Sequence, residues 1–340
     1  MKHLTLSATI LGALIATTSA SAQDYVIRLS HGVPETMQDG QHAWATVFKE
    51  FVESATGGDI EVRILGANSA GSERQQLERV QTGINQMLLV SEITMPSFFE
   101  PAQVFGIPYL FPSSVVAWDV MDGEFGEQFG EAWREATGIR IIGGIESGFR
   151  SFFNSERPVH SPEDLAGLRI RTGENPVHMA MVEALGASPT PIAWAEVYTS
   201  LQQGVVDGME NPPGLFYSMR FFEHQDYLTV DRHLYSFHFA MINDDFYQSL
   251  PENYQAIVTE ASALADTVGR SVAFLAERRA LEDLREAGIE VYFPTAEEYA
   301  EFRDLARPAG EALVREQIGD EWVDSILGAI DATQASYANP

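Results

Sequence analysis

The sequence contains no cysteine. Disulfides, thiolate nucleophiles and cysteine-ligated zinc are therefore excluded. Lysine is almost missing too: Lys2 and Lys49 are the only lysines among 21 basic residues, and the other 19 are arginines. Against 49 acidic side chains this leaves a formal charge of −28. Nucleic acid requires a basic footprint, and an anionic bilayer surface requires clustered cations, so neither is supported as a partner. Beyond the first residues no run of 18 apolar side chains exists that could span a bilayer. Catalytic signatures are equally scarce. There is no G-x-S-x-G, G-x-G-x-x-G, Walker loop or H-E-x-x-H. The eight histidines are scattered, and His233 and His238 are spaced poorly for a shared metal. No cofactor or metal is expected. A carboxylate-based hydrolase stays open only because such enzymes have weak signatures.

At 45% hydrophobic and 21% charged, the chain reads as globular rather than disordered. Its 340 residues suit two domains of about 150 residues each. Met1-Lys2-His3 is a short positive start, Leu4 to Ala16 is almost wholly apolar or small, and Ala20-Ser21-Ala22 reads A-x-A. That pattern predicts a secretory signal cleaved after Ala22, and with it export to a periplasm. The apolar run is too short to span a bilayer, which needs about 20 residues.

The remainder alternates strand and helix signals. Tyr25 to Ser30, Ile60 to Leu65 and Met87 to Val90 read as strands; His42 to Ala55 and Ser72 to Thr82 read as helices. The middle repeats the rhythm, with a strand over Ile139 to Ile145, a helix start at Ser161-Pro162, a strand over Leu168 to Arg171 and a helix capped by Asn175-Pro176. Further helix over Ala195 to Gln203 and a short strand and turn over Val205 to Gly208 follow. The rhythm predicts α/β layers on a largely parallel sheet. From Pro251 to Ala287 there is no further proline and only one glycine, Gly269, with apolar residues at helical spacing. One helix there would be roughly 54 Å long, longer than the roughly 38 Å diameter of a 150-residue domain. It would therefore cross two domains interleaved in sequence; two helices broken at Gly269 are the alternative.

Two arginines stand out from those in acid-rich helical stretches. Arg150 is hemmed by Phe149, Phe152 and Phe153, and Arg171 ends the strand Leu168 to Arg171 just before the cap at Asn175-Pro176. In an open α/β sheet ligands bind at the C-terminal ends of strands, a helix N-terminus favours anions, and an arginine holds a carboxylate with two parallel hydrogen bonds. Taken alone, either arginine is more often half of a structural salt bridge, and Trp194 more often core.

Leu168-Arg169-Ile170-Arg171, Asn175-Pro176, Leu185 to Pro191, Glu196-Val197-Tyr198, Leu201 to Gly204 and Val206 to Pro212 form one ordered string. It closely resembles the solute-binding proteins of tripartite ATP-independent periplasmic (TRAP) transporters, the DctP-type family. Val104 to Phe111 and Ser249-Leu250-Pro251-Glu252 also match. The resemblance implies a two-lobed periplasmic-binding-protein fold of the α/β class, with a long helix spanning both lobes. Lobe I would comprise 23–147 plus about 236–272, lobe II 148–235 plus about 273–310, and 311–340 a C-terminal helical segment. It implies a monomeric receptor that captures a small organic anion and delivers it to the TRAP permease membrane subunits, with no catalytic residue. A sensory receptor feeding a kinase is a further reading. By the same resemblance Arg171 holds the ligand carboxylate and Arg150 is a second contact. Asn211 hydrogen-bonds the same group, Trp194 packs on the ligand body and Asn175 faces the cleft. Ser91, Glu92 and Thr94 line up with the specificity strand of lobe I, and their polarity points to a hydroxylated ligand. The surroundings of Trp194 and Phe111 look similar to the ectoine-binding branch, but His31 of strand one is followed by Gly32 and Val33 instead of acids, and Thr94 replaces an aromatic wall. Two arginines without a matching acid favour a plain organic anion, whether sugar acid, hydroxy acid, dicarboxylate or sulfonate.

Overall fold

The computed structural model describes residues 25–338; the signal peptide expected over 1–22 lies outside them. The chain opens with β1 (Tyr25–Ser30), α1 (Gly40–Ala55), β2 (Ile60–Leu65), α2 (Glu73–Gln81) and β3 (Met87–Ser91), as the alternation predicts. β1 lies between β2 and β3 and is parallel to both. Helices α3 (Ser114–Asp122) and α4 (Glu124–Thr137) lead into β4 (Ile139–Asn154). A second set follows: β5 (Arg169–Thr172), α5 (Pro176–Ala184), β6 (Ser188–Pro191), α6 (Val197–Gln202), β7 (Gly208–Asn211) and α7 (Pro213–Ser218). Here β5 is the parallel centre, flanked by β6 and β7. The chain ends with β8 (Tyr227–Asn243), α8 (Asp244–Ser249), α9 (Glu252–Glu286), β9 (Glu290–Tyr292), α10 (Ala296–Ile318) and α11 (Glu321–Ala338).

The sheet is not largely parallel. Its order is β2-β1-β3-β8-β4-β7-β5-β6, with β9 beside β8, and its centre is an antiparallel ribbon of β4 and β8. β3 joins one end of this ribbon at His238–Ile242, while β7 joins the other at Ser151–Asn154. The strand–helix rhythm reports only the βαβ crossovers inside each half. The ribbon joins the halves, and its strands are too distant in sequence for a local pattern to give their direction. Three register shifts, at Ile141/Gly143, Glu146/Gly148 and Arg150/Phe152, bend it between the two lobes. Gly148 adopts φ +108° there, a conformation that costs a residue with a Cβ.

Each lobe buries its half of the sheet between two apolar layers. In lobe I, Trp44, Phe48, Val52, Val258 and Ala261 pack on one face. Phe105, Phe129, Trp133, Phe239 and, from α11, Ile326 and Ile330 pack on the other. In lobe II, Met181, Val182, Phe302 and Ala306 cover one face, and Phe153, Phe216, Phe221 and Leu284 the other.

The long helix is unbroken. α9 runs for 35 residues, about 52 Å at 1.5 Å per residue. Val258, Ala261 and Ala265 lie in the lobe I core, whereas Leu284 lies in that of lobe II. Gly269 does not break it. It lies against β4 and α1, where a Cβ would come within 2.5 Å of Ile145 Cγ2 and 3.2 Å of the Gly40 carbonyl oxygen. The glycine marks a close crossing, not a turn.

Candidate ligand-binding cleft

The cleft lies where strand ends of the two lobes face each other, and it opens to solvent. β5 delivers Arg171 from lobe II. Ile170 is buried at 0% exposure in the core below, and Arg171, one residue on and last but one in the strand, emerges at the cleft. Its guanidinium is 3% exposed. Nε and Nη2 donate to the Ile192 carbonyl at 3.0 and 2.6 Å, and the charge lies 5.7 Å from the Trp194 ring centre. Among the described residues no carboxylate comes within ion-pair distance of it. Burial pushes the guanidinium down to about 10, with Glu210 opposing and Arg150 reinforcing, so it stays charged at neutral pH.

β7 delivers Asn211. Pro212 and Pro213 end the strand directly after it, since proline cannot continue a ladder. The side chain is fully buried and lines the cleft, and neither Nδ2 nor Oδ1 finds a hydrogen-bond partner among the described residues. Trp194 closes the side of the site. Its Nε1 donates across the lobes to the Gly32 carbonyl at 3.1 Å, and Phe221 meets it edge-on at 5.4 Å.

Arg150 also lines the cleft, but its charge is matched. It donates to both Glu210 carboxylate oxygens, to the Glu210 carbonyl at 2.6 Å and to Ser236 at 3.4 Å. Burial alone would raise the Glu210 carboxyl, but Arg150 and His233 hold it well below the usual carboxylate range. His233 continues the network to Asp231 at 2.8 Å, and Tyr109 donates to Asp231 at 3.2 Å. The expectation of two arginines without a matching acid is corrected: Glu210 is the match for Arg150. In sequence it is only the glutamate before Asn211, and strand pairing brings it opposite Phe152.

Lobe I supplies the facing wall. Ser91 ends β3 and donates to Glu92 at 2.9 Å; Thr94 donates to Glu73 at 2.7 Å. Glu73 sits in the first turn of α2, behind the capping box of Ser72 and Gln75. Burial raises its carboxyl, while Thr94, Arg171 and Arg150 pull the other way. His238 reaches the cleft from β8 with its ring 2.8 Å from the Ser147 hydroxyl, and burial pushes it down to about 3.

Arg150, Arg171, Asn211, Trp194, Ser91 and Thr94 thus share one cleft. Three expected residues do not line it. Glu92 lies behind Ser91, bonded also to Ser236 and the Phe237 amide, and burial pushes it up to about 7 against the pull of Arg150. His31 is buried against His42, 3.2 Å away, and accepts from the Val33 amide. Asn175 uses its side-chain oxygen to cap α5, accepting from the Val177 and His178 amides, and Nδ2 reaches the Ile93 carbonyl. Sequence reasoning missed Glu73, Glu174 and His238. An acid in a first helical turn looks like ordinary dipole compensation, so Glu73 carries no signal until the fold turns it toward the cleft. Among the described residues no group of three or more His, Asp or Glu side chains could hold a metal ion.

Residues 29–317 match the model of a family described as bacterial extracellular solute-binding protein, family 7, named DctP. The chain is 31% identical to the C4-dicarboxylate-binding periplasmic protein DctP of Rhodobacter capsulatus, over 95% of its own length and 99% of that protein. It is 28% identical to the 2,3-diketo-L-gulonate-binding periplasmic protein YiaO of Escherichia coli, over 95% of its length and 94% of the relative. Its fold is similar to that of the sugar acid binding protein DctPAm from Advenella mimigardefordensis in complex with galactonate. There the TM-score is 0.87 at 27% identity, covering 91% of this chain and 98% of that one.

Proposed function

Because the chain belongs to bacterial extracellular solute-binding protein family 7, the DctP family, we propose that its cleft captures a small organic anion and that a membrane permease receives it unchanged. The observation that carries this reading is the pairing of Arg171 with Asn211. One is a buried cation with no carboxylate partner; the other is a buried amide with neither polar atom satisfied among the described residues. Buried polar groups are ordinarily hydrogen-bonded, and a carboxylate or sulfonate between these two would accept from both. Trp194 offers its ring to the ligand body. Galactonate in the DctPAm complex and the dicarboxylate and diketogulonate in the relatives' names support the chemical class.

The mechanism we propose is closure about the bent β4–β8 ribbon. Arg171 and Asn211 take the anion from lobe II, lobe I closes over it, and exclusion of water strengthens the charge pair. The lobes follow the division 23–147 plus about 236–272 and 148–235 plus about 273–310, with 311–340 as a C-terminal segment. The working form is a periplasmic monomer beginning after Ala22. Its family is one of solute receptors, and no catalytic role is assigned. A thermal-shift screen of the mature protein against organic acids tests the reading. A ligand at 100 times its dissociation constant adds about 2.7 kcal/mol of stability. Response to neutral sugars or amines alone, with silence to carboxylates and sulfonates, overturns it.

A further inference from the structure

We infer that Glu73 makes this cleft charge-selective: it accepts ligands carrying one anionic group, held at Arg171, and rejects those carrying a second anionic group at the far end. This rests on the anion reading above and narrows it.

The lobe II wall offers a single uncompensated charge. Arg150 is matched by Glu210, and His233 lies between Glu210 and Asp231, at 3.5 and 2.8 Å. That leaves Arg171 alone to bind a carboxylate. The lobe I wall is the opposite in kind. Around Glu73 three hydroxyl protons are already committed: Thr94 donates to Glu73, Ser91 to Glu92, and Ser97 to the Thr94 carbonyl at 2.9 Å. The Ser72 hydroxyl, which accepts from the Gln75 amide, and the Gln41 amide remain as donors on this wall. A hydroxyl that has donated its proton presents only lone pairs, and an ionised carboxylate is an acceptor only. Around Glu73, which lines the cleft, this part of the wall therefore presents mainly acceptors toward the ligand. A hydroxyl or another N–H or O–H donor satisfies it. A second carboxylate can donate nothing and meets like charge. Glu174 at the lobe II rim adds to the negative field. Arg74 is the one cation on the lobe I side, but it is exposed, lies 3.4 Å from Glu78 and rests 5.8 Å over the Phe98 ring.

The test uses matched acids that differ only at the far end, where CH2OH replaces a carboxylate: glycerate with tartronate, threonate with tartrate, galactonate with galactarate. Calorimetry on the wild type should give the monoacid of the best-fitting pair an affinity at least about 30-fold higher than its diacid. Glu73→Gln keeps an oxygen for Thr94 and adds a donor, so it should strengthen the diacid and close the gap to within about 3-fold. Circular dichroism of the variant checks its fold. Arg171→Ala should weaken binding of both members by at least about 30-fold. A diacid that binds the wild type as well as its monoacid overturns the inference, as does a gap unchanged in Glu73→Gln, while the anion reading stands in both cases. Silence of the wild type toward every acid removes both.

Discussion

Arg150 and Arg171 are both 3% exposed and line the same cleft, yet the structure gives them different work. Arg150 is fixed by Glu210, so replacing it strands a buried carboxylate. Breaking such a pair costs about 3–5 kcal/mol, and Arg150→Ala should lower the melting temperature markedly. Arg171 leans only on a carbonyl and an indole ring. Arg171→Ala should leave folding almost unchanged and weaken anion binding by about 2–5 kcal/mol, measured by calorimetry beside a thermal melt of each variant. A melt lowered equally by both substitutions would contradict this division. In sequence the two arginines were distinguished by context alone. The strand end and the following cap marked Arg171; nothing local marked Glu210 as the partner of Arg150, because that contact depends on β4 lying beside β7.

At the scale of the element, α9 was legible and its crossing was not. Helical spacing from Pro251 to Ala287 and the absence of proline between them predict the helix to within a residue or two of its ends. Gly269 invited a break because glycine costs about 1 kcal/mol in a helix interior. The structure gives the compensating reason, a close approach to Ile145, Gly40 and Trp44. Gly269→Val should therefore destabilise despite valine's better helix propensity. Overpacking of this kind costs typically about 1–3 kcal/mol, readable as a shift in the urea midpoint. A stabilised variant would show that the crossing relaxes freely. β8 was not foreseen. Its 17 residues are buried on both faces for most of their length and carry polar residues at Asp231, His233 and Ser236 for the network behind the cleft. The apolar alternation that announces an edge or surface strand is therefore missing.

For the whole molecule, buried ionisable groups set the response to pH. Burial opposes a charge on His233, but Asp231 and Glu210 outweigh it and lift the imidazole to about 9. Against an unfolded value near 6.5, its stabilisation is full below that value and is lost as pH rises through about 9. Asp266 and Glu92, lifted by burial to about 7, act with the same sign. The histidines pushed down by burial, His31, His178 and His238, oppose this trend only below about 6.5, because above it they are neutral in both states. The melting temperature should fall steadily from pH 6.5 to 9 in a scanning fluorimetry series; a flat or rising profile would contradict the assignment. What the sequence determined by itself was local. Strand and helix alternation, the caps, the long helix and the family string from Leu168 to Pro212 are carried by neighbouring residues. So is the excess of acids, which supplies no basic footprint for an anionic polymer. Only the tertiary structure decided the rest: the antiparallel ribbon joining the lobes, the acid that matches Arg150 and the acceptor wall facing Arg171. Each depends on residues tens of positions apart meeting across a strand pair or a cleft, and no local period or motif encodes such a meeting.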